Sequence, residues 1–422
     1  MYPDSYYAAT ANFVPDHPCL EDTVRCDVCV IGGGFTGVST ALHLAERGYD
    51  AVLLESERIG WGASGRNGGQ LGSGQRKGQD ELEKMLGRDE ARRLWELAEE
   101  SKATAKHLIE KYRIQCDLKP GILHPMHKRA YVDDAHRYVD RLRNDYGYEH
   151  IDTVSTAEMR EILGTDVYHG GWLDRDAGHL HPLNYVLGLA RAASERGARL
   201  YEGSPVTHYA ADGRVTVNTA RGIVRADLLV IGCNGYLDGL ETKINGKIMP
   251  INNFILATEP LGGARARRLI RDDVAVADSK FVINYFRLSA DKRLLFGGGE
   301  NYTRRFPVDL KSFVRKYMLK IYPDLHETRI DYAWGGTLAV TLNRMPHFGR
   351  LGANVYFAQG YSGHGVAMAT LAGKIIAEAV AGDSGKFDTF ARVPTAAFPG
   401  GRYLRWPALA MAMLYYKLRD RL

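Results

Sequence analysis

Cysteine is scarce in this chain, with five among 422 residues. They stand at Cys19, Cys26, Cys29, Cys116 and Cys233. An odd, scattered set excludes a disulfide scaffold and fits a reducing compartment, so the expected location is cytoplasmic. Cys26 and Cys29 make a C-x-x-C, but the apolar run around them reads as a buried strand on which positions three apart face opposite sides. Long apolar runs are missing too, and without 18 apolar residues in a row no transmembrane helix is predicted. The start, MYPDSYYAATANFVPDHP, has neither the basic opening nor the apolar stretch of a signal peptide. Charge of one sign does not accumulate: the formal net charge is +5. Lys and Arg are scattered apart from RARRLIR at 265–271, which argues against a nucleic-acid partner. No metal site is expected. His124 and His127 in GILHPMH point to opposite faces of a strand, and His179 and His181 in GHLHPLN lead into a helix that begins at Pro182.

Glycine is what the chain has in excess, 46 residues, roughly 11% against a usual share of about 7%. The segment CDVCVIGGGFTGVSTALHLAERGYDAVLLE shows why. Residues 27–31 are short, apolar and β-branched, as an inner parallel strand should be. Gly32, Gly34 and Gly37 follow in G-x-G-x-x-G spacing. Gly32 permits the tight turn, Gly34 lets a pyrophosphate reach the backbone, and Gly37 lets helix and strand pack closely. Ala41, Leu42 and Ala45 lie on one helical face, Gly48 ends the helix, and residues 51–54 form a second strand ending in Glu55. That carboxylate, roughly 18 residues past the last glycine, is placed for ribose hydroxyls. The helix N-terminus offers unpaired N–H groups to the phosphates.

The dinucleotide is NAD or FAD on this evidence. The next segment, GWGASGRNGGQLGSGQ at 60–75, holds seven glycines, with Ser64 and Asn67 as polar contacts. A backbone wrapped around a second piece of ligand explains it better than a linker, which would not carry Trp61, Arg66 and Asn67. Residues 89–112 read as an amphipathic helix with a solvated charged face. Residues 228–231 form another buried strand, ending at Gly232, Asn234 and Gly235. Residues 246–329 read as a second sheet region with a turn at Ala290 and Asp291. On it Tyr285 and Arg287 share a face, with Phe296 across the hairpin. VYFAQGYSGHGVAMATLAGKIIAEAVAG at 355–382 repeats the strand, glycine loop and helix grammar. A second helix N-terminus suits the charge of a reduced flavin.

With these motifs the chain resembles FAD-dependent amine oxidoreductases with the D-amino-acid-oxidase-like fold. VIGGGFTG with VLLE, GASGRNGGQ, HLHPLN, ADLLVIGCNGY and GYSGHGV fall in that family's order and cover nearly the whole chain. SYYAATAN, RIGWGASGRNGGQ, RMPHFGRL, QGYSGHGV, FPGGR and LRDRL look most like its members that act on γ-glutamylputrescine. The resemblance implies an α/β Rossmann-like FAD-binding domain (1–88, 158–245 and 330–385) interrupted by an antiparallel-sheet, α+β substrate domain (89–157 and 246–329). Residues 386–422 form a C-terminal extension with a terminal helix. That tail reads as docking on its own domain or a partner subunit, with a surface-lying membrane helix as the alternative.

The resemblance also implies the site. FAD contacts are expected from Gly32, Gly34, Phe35, Thr36 and Gly37, from Glu55 and Ser56, and from Gly62, Ala63, Ser64, Asn67, Gly68, Gly69 and Gln70. Val206 is expected beside the adenine, with further contacts from Cys233, Asn234, Gly235 and Gly335. The loop Gly360, Tyr361, Ser362, Gly363, His364, Gly365 and Val366 completes the set. The catalytic pocket is expected from Tyr285, Arg287, Trp334, Tyr361 and His364, with Arg287 meeting a substrate carboxylate. Relatives that act on sarcosine carry a lysine where Ala367 stands and hold flavin through a cysteine that the segment 334–337 lacks. Dimethylglycine-type relatives use a histidine near the position of Asn67. Non-covalent FAD and a larger substrate than sarcosine are therefore expected. The expected partners are a small-molecule amine and O2. The expected reaction takes the terminal amine of a γ-glutamylated diamine to aldehyde, ammonia and peroxide. The rivals are a dehydrogenase or an oxidase of a D-amino or N-methyl amino acid.

Overall fold

A computed structural model describes residues 1–301 and 305–399. The expected terminal helix lies outside the described residues. Two sheets organise the described chain, and the side-chain period of two decides what each face does.

The first sheet has eight strands. Its parallel centre is Val355–Gln359, Ile223–Ile231, Thr23–Ile31, Ala51–Leu54 and Arg199–Tyr201, in that spatial order. Ile31 lies level with both Leu54 and Ile231, and Ile231 with Phe357. Four strands therefore end at one edge, and the loops after them begin side by side. His347–Leu351 closes one side antiparallel, while Val206–Ala210 and Val215–Thr219 hang from Ile223–Ile231. Helices Phe35–Ala45, Pro182–Glu195 and Gly365–Val380 cover this sheet. Pro182–Glu195 starts as HLHPLN suggests: His181 Nδ1 accepts the Asn184 N–H at 3.1 Å, and Pro182 occupies the first turn, where its missing N–H costs nothing.

The second sheet has nine strands and is mostly antiparallel. It runs Ile330–Val340, Met249–Thr258, Leu294–Asn301, Tyr285–Leu288, Ala275–Ala277, Lys119–Pro125, Gly171–His179 and Gln70–Leu71, with Ile151–Val154 also on Gly171–His179. Leu123, Leu173, Phe254, Val276, Phe286 and Phe296 share an apolar cluster with helix Leu310–Ile321. Ile122, His124, Trp172, Asp174, Asn253 and Tyr285 instead line a cavity.

Two expectations are corrected. Gly171–His179 and Ile330–Val340, assigned above to the nucleotide domain, pair in the second sheet. Their hydrogen-bond partners, invisible in local pattern, decide membership. Phe296 lies across the hairpin, opposite Phe286, their rings stacked 5.4 Å apart. Among the described residues no helix is long and apolar enough to cross a membrane.

Helix Phe35–Ala45 packs on Gly365–Val380 at Gly373, where an added Cβ would meet Thr40 N at 2.5 Å and Ser39 Cβ at 2.6 Å. Backbone cannot yield as a side-chain tip can, so Gly373→Ala should destabilise the fold by about 1–3 kcal/mol despite alanine's better helix propensity. Urea unfolding followed by circular dichroism checks this.

Candidate active site

The loops at the carboxyl edge of the first sheet build one end of the cavity. Helix Phe35–Ala45 has Gly34 at its N-cap, with no side chain of its own to cap the end, and Ser64 takes only the first N–H, that of Phe35. Helix Gly365–Val380 has His364 there, also without a side-chain cap. Both ends open onto one cavity of about 560 Å³, lined among others by Gly34, Phe35, Thr36, Ser362, His364 and Val366. Two positive helix ends on one cavity favour an anionic ligand.

The glycines show how closely the main chain is drawn in. A Cβ on Gly37 would stand 1.9 Å from Gly32 O, and one on Gly34 would stand 2.8 Å from Ser64 Oγ. Ser64 Oγ accepts the Phe35 N–H at 2.9 Å, which fixes the 60–75 loop to the helix start. Asn67 shapes that loop from inside: its amide donates to Ala63 O and Ser64 O, and its Oδ1 accepts the Gly69 N–H. Glu55 Oε2 accepts the Gly33 N–H at 2.6 Å, and Oε1 takes Glu57 N and Ser56 Oγ. Burial raises the Glu55 pKa. Asn234 Oδ1 accepts the Gly360 N–H at 2.9 Å, tying two of the edge loops together.

Ala63, Ser64, Asn67, Gly68, Gln70, Asn234, Gly363 and Gly365 also line the cavity. Gly32, Gly37, Glu55, Ser56, Gly62, Cys233, Gly235 and Gly360 are not among the residues that line it. Gly69 has φ +74°, and its Cβ would meet Leu180 O at 2.0 Å, so it serves a backbone crossing. Val206, half-buried opposite Thr219, lies away from the cavity on an outer strand.

Tyr285, Tyr361 and His364 come together on the cavity. Tyr361 Oη shares a 2.7 Å hydrogen bond with Thr36 Oγ1, and Tyr285 Oη donates to Asn253 Oδ1. Burial, with the Arg76 cation adding to it, lowers the His364 pKa to about 4, so the ring is neutral near pH 7.

Arg287, Trp334 and Gly335 are corrected. Arg287 is 5% exposed and off the cavity wall. Its guanidinium donates to Gly68 O, Leu180 O, Leu288 O and Tyr7 Oη, which leaves it no carboxylate-clamping geometry. Trp334 is buried against Tyr7 and donates its Nε1–H to Arg66 O at 3.0 Å. On Ile330–Val340 the cavity is lined by Gly336, Leu338, Ala339 and Val340, while Gly335 packs on Phe254.

The cavity also draws in residues outside the expected contact set, Arg66 first among them. Arg66 stacks over Trp61 at 4.1 Å, and its buried Nη2 has no hydrogen-bond partner among the described residues. The His364 Nε2 is likewise buried without one. Both line the cavity, and such orphaned polar atoms call for a polar ligand. Arg76, Trp95, His124, Tyr148, Trp172 and Asp174 form a farther wall. Main chain drawn too close for a Cβ, positive helix ends and orphaned polar atoms together fit a dinucleotide with its ring system in the cavity.

Comparison with known proteins agrees. The family described as FAD dependent oxidoreductase matches residues 27–379. The chain is 43% identical over 419 residues to the gamma-glutamylputrescine oxidoreductase of Escherichia coli strain K12, covering 99% of this chain and 98% of that one. It is 40% identical over 422 residues to a probable oxidoreductase, OrdL, of Haemophilus influenzae, covering 99% and 97%. Among solved structures, glycine oxidase from Geobacillus kaustophilus superposes with a TM-score of 0.75 over 89% of this chain and 100% of that chain, at 22% identity, a likeness of fold.

Two outcomes follow from this geometry. Gly37→Ala forces a methyl into Gly32 O and shifts the helix end, so the purified variant should carry less than about a tenth of the wild-type flavin, read from the visible spectrum. The second concerns acid. Burial holds His124 and His364 near pKa 4 in the folded chain, against an ordinary value of 6.5. Between those values the unfolded chain binds protons that the folded chain refuses. Stability is therefore full above pH 6.5 and falls as the pH drops toward 4. From pH 7 to pH 5 each such ring should account for roughly 2 kcal/mol of the loss. Urea midpoints of wild type and His364→Asn at both pH values measure it.

Proposed function

The chain belongs to the FAD-dependent oxidoreductase family, and from that premise we propose that it oxidises the terminal primary amine of a γ-glutamylated diamine such as γ-glutamylputrescine. The observation that carries this reading is end-to-end similarity to a protein named for that substrate. The net reaction takes R–CH2–NH2, O2 and H2O to R–CHO, NH3 and H2O2. FAD, when bound, supplies the two-electron, one-hydride acceptor between amine and oxygen.

The residues here do the rest. An alkyl ammonium is largely protonated at neutral pH, and hydride leaves its α-carbon only once the nitrogen is neutral. Tyr285, Tyr361 and His364 line the reacting end. Tyr361 and His364 are uncharged near pH 7, since burial lifts the Tyr361 hydroxyl far above its ordinary value and lowers the His364 imidazole to about 4. A wall of neutral groups disfavours the ammonium and favours the free amine. Burial of the ring system keeps bulk water from competing for its polar edge.

The cofactor is held without a covalent bond in this reading. No cysteine stands among the described residues that line the cavity, and main-chain amides supply the contacts. Acid precipitation should release the yellow colour into the supernatant; colour retained in the pellet would refute non-covalent binding. The substrate is tested by anaerobic bleaching with γ-glutamylputrescine, putrescine, sarcosine and D-alanine. γ-Glutamylputrescine should reduce the flavin with a kcat/KM at least about tenfold above putrescine, and readmitted air should yield peroxide and an aldehyde. Bleaching by sarcosine or D-alanine alone would overturn the assignment.

A further inference from the structure

The far wall of the cavity is charged and aromatic, unlike the reacting end. Asp174 on Gly171–His179 is 4% exposed and lines the cavity. Its Oδ1 accepts the Tyr148 hydroxyl at 2.6 Å and the Ala177 N–H at 3.0 Å. Its Oδ2 has no hydrogen-bond partner among the described residues, yet it is not sealed among protein atoms. One oxygen of a buried carboxylate is thus fixed by protein while the other is left for the cavity.

The surroundings sharpen the demand for a cation. Lys102, 1% exposed, lies behind Asp174 but is already engaged. Its Nζ meets Glu99 at 2.8 Å, Asp176 at 2.8 Å and Tyr148 Oη at 2.9 Å. Lys106 also pairs with Asp176. Lys102 also acts on Asp174 electrostatically, but neither lysine bonds its Oδ2, which is left to the cavity. Trp172 lies two residues before Asp174 on the same face, stacked on His124 at 4.8 Å. The Tyr148 ring stands edge-on to Trp95 at 5.2 Å. A carboxylate flanked by aromatic faces is the chemistry that binds an alkylammonium. Arg76, also on the cavity wall, acts on His124 from the opposite electrostatic side to Asp174. The wall therefore offers an anion and a cation about one imidazole.

We propose that Asp174, with Trp172 and Tyr148, binds the α-ammonium of the glutamyl head while Arg76 faces its α-carboxylate, making this wall the specificity site for an amino-acid zwitterion. This rests on the reading above and adds which group of the substrate is read, and by what. Dimensions agree. Three inter-strand steps separate the Tyr285 strand from the Asp174 strand, roughly 14 Å. Nine bonds separate the reacting carbon of γ-glutamylputrescine from its α-nitrogen, roughly 11 Å when extended. Side chains reaching inward from both strands bracket such a molecule.

The test uses two ligands that lack the terminal amine and so cannot be oxidised: N-γ-glutamylbutylamine and N-glutarylbutylamine, which differ only in the α-ammonium. In calorimetric titration of the holoenzyme, the glutamyl ligand should bind at least about tenfold tighter than the glutaryl ligand. Asp174→Asn keeps an acceptor for Tyr148 and should bring the two within about twofold, with glutaryl binding unchanged. A wild-type ratio near one would overturn the proposal without any variant, and so would a ratio that survives in Asp174→Asn. If the wild-type ratio is near one while γ-glutamylputrescine is still oxidised, the zwitterion site fails and the substrate reading stands. If neither ligand binds and γ-glutamylputrescine is not oxidised, both fall. An equal loss of kcat on γ-glutamylputrescine and N-glutarylputrescine in Asp174→Asn would move Asp174 to the reacting end and overturn the proposal.

Discussion

The close approach of Gly37 to Gly32 is the constraint on which the rest of the site depends. Where any Cβ would stand 1.9 Å from a carbonyl oxygen, the helix can sit only against bare backbone. Gly32, at φ +108°, is itself pressed to within 3.0 Å of the Gly232 main chain by the same measure, so two neighbouring strand ends meet without side chains between them. The position of helix Phe35–Ala45 then fixes its neighbour. Gly373 lets helix Gly365–Val380 lie directly on Ser39 and Thr40, and Ser39 Oγ donates to Thr370 O at 2.7 Å. The second helix is placed by the first, and its N-terminus comes to the same cavity. Two anion-favouring ends separated by some 330 residues of sequence are thereby set by a chain of glycine contacts.

Arg287 shows a second kind of constraint. A buried guanidinium without a carboxylate partner among the described residues would be costly unless its donors were met. Here carbonyls from Gly68, Leu180 and Leu288 and the Tyr7 hydroxyl meet them. Those groups come from the glycine loop, from the entrance to helix Pro182–Glu195, from its own strand and from the N-terminal helix Tyr6–Ala9. Charge-assisted bonds to carbonyls are strong, so one side chain pins the cofactor-facing loop to the second sheet. The same cation, after burial, depresses His179 and His181 to about 3. Both rings then stay neutral, which His181 needs in order to accept the Asn184 N–H with its Nδ1.

What was legible in the sequence was local. Glycine spacing, the strands that bracket it and the terminal Glu55 are all determined within some thirty residues, because turn geometry and helix–strand packing act at that range. The HLHPLN cap and the long helix Arg88–Lys111 were readable for the same reason. Arg287 and Trp334 were placed on plausible strands, but their orientation depends on partners far away in sequence. The alternation in Ile330–Val340 could not say whether Gly335 or Gly336 faces the cavity, since its phase is set by pairing Trp334 with Ile255. The wall of Trp95, His124, Tyr148, Trp172 and Asp174 was illegible outright. It is drawn from four separate segments, and the register of Lys119–Pro125 and Ile151–Val154 against Gly171–His179 brings much of it together.

That register also explains why the charges in the cavity are distributed as they are. A single face of the second sheet runs from Asn253 and Tyr285 to Trp172 and Asp174, while the helix ends meet it from the first sheet at the Tyr361 side. Positive helix ends adjoin Tyr285 and the neutral Tyr361 and His364, and the open carboxylate lies three strands away. Placed beside the reacting carbon, that carboxylate would hold the amine in its charged form and oppose loss of hydride. It would also repel the negative charge that a reduced isoalloxazine ring carries. On the proposed reading, distance across the sheet removes both conflicts, with a neutral amine for chemistry at one end of one sheet face and a charged group for recognition at the other.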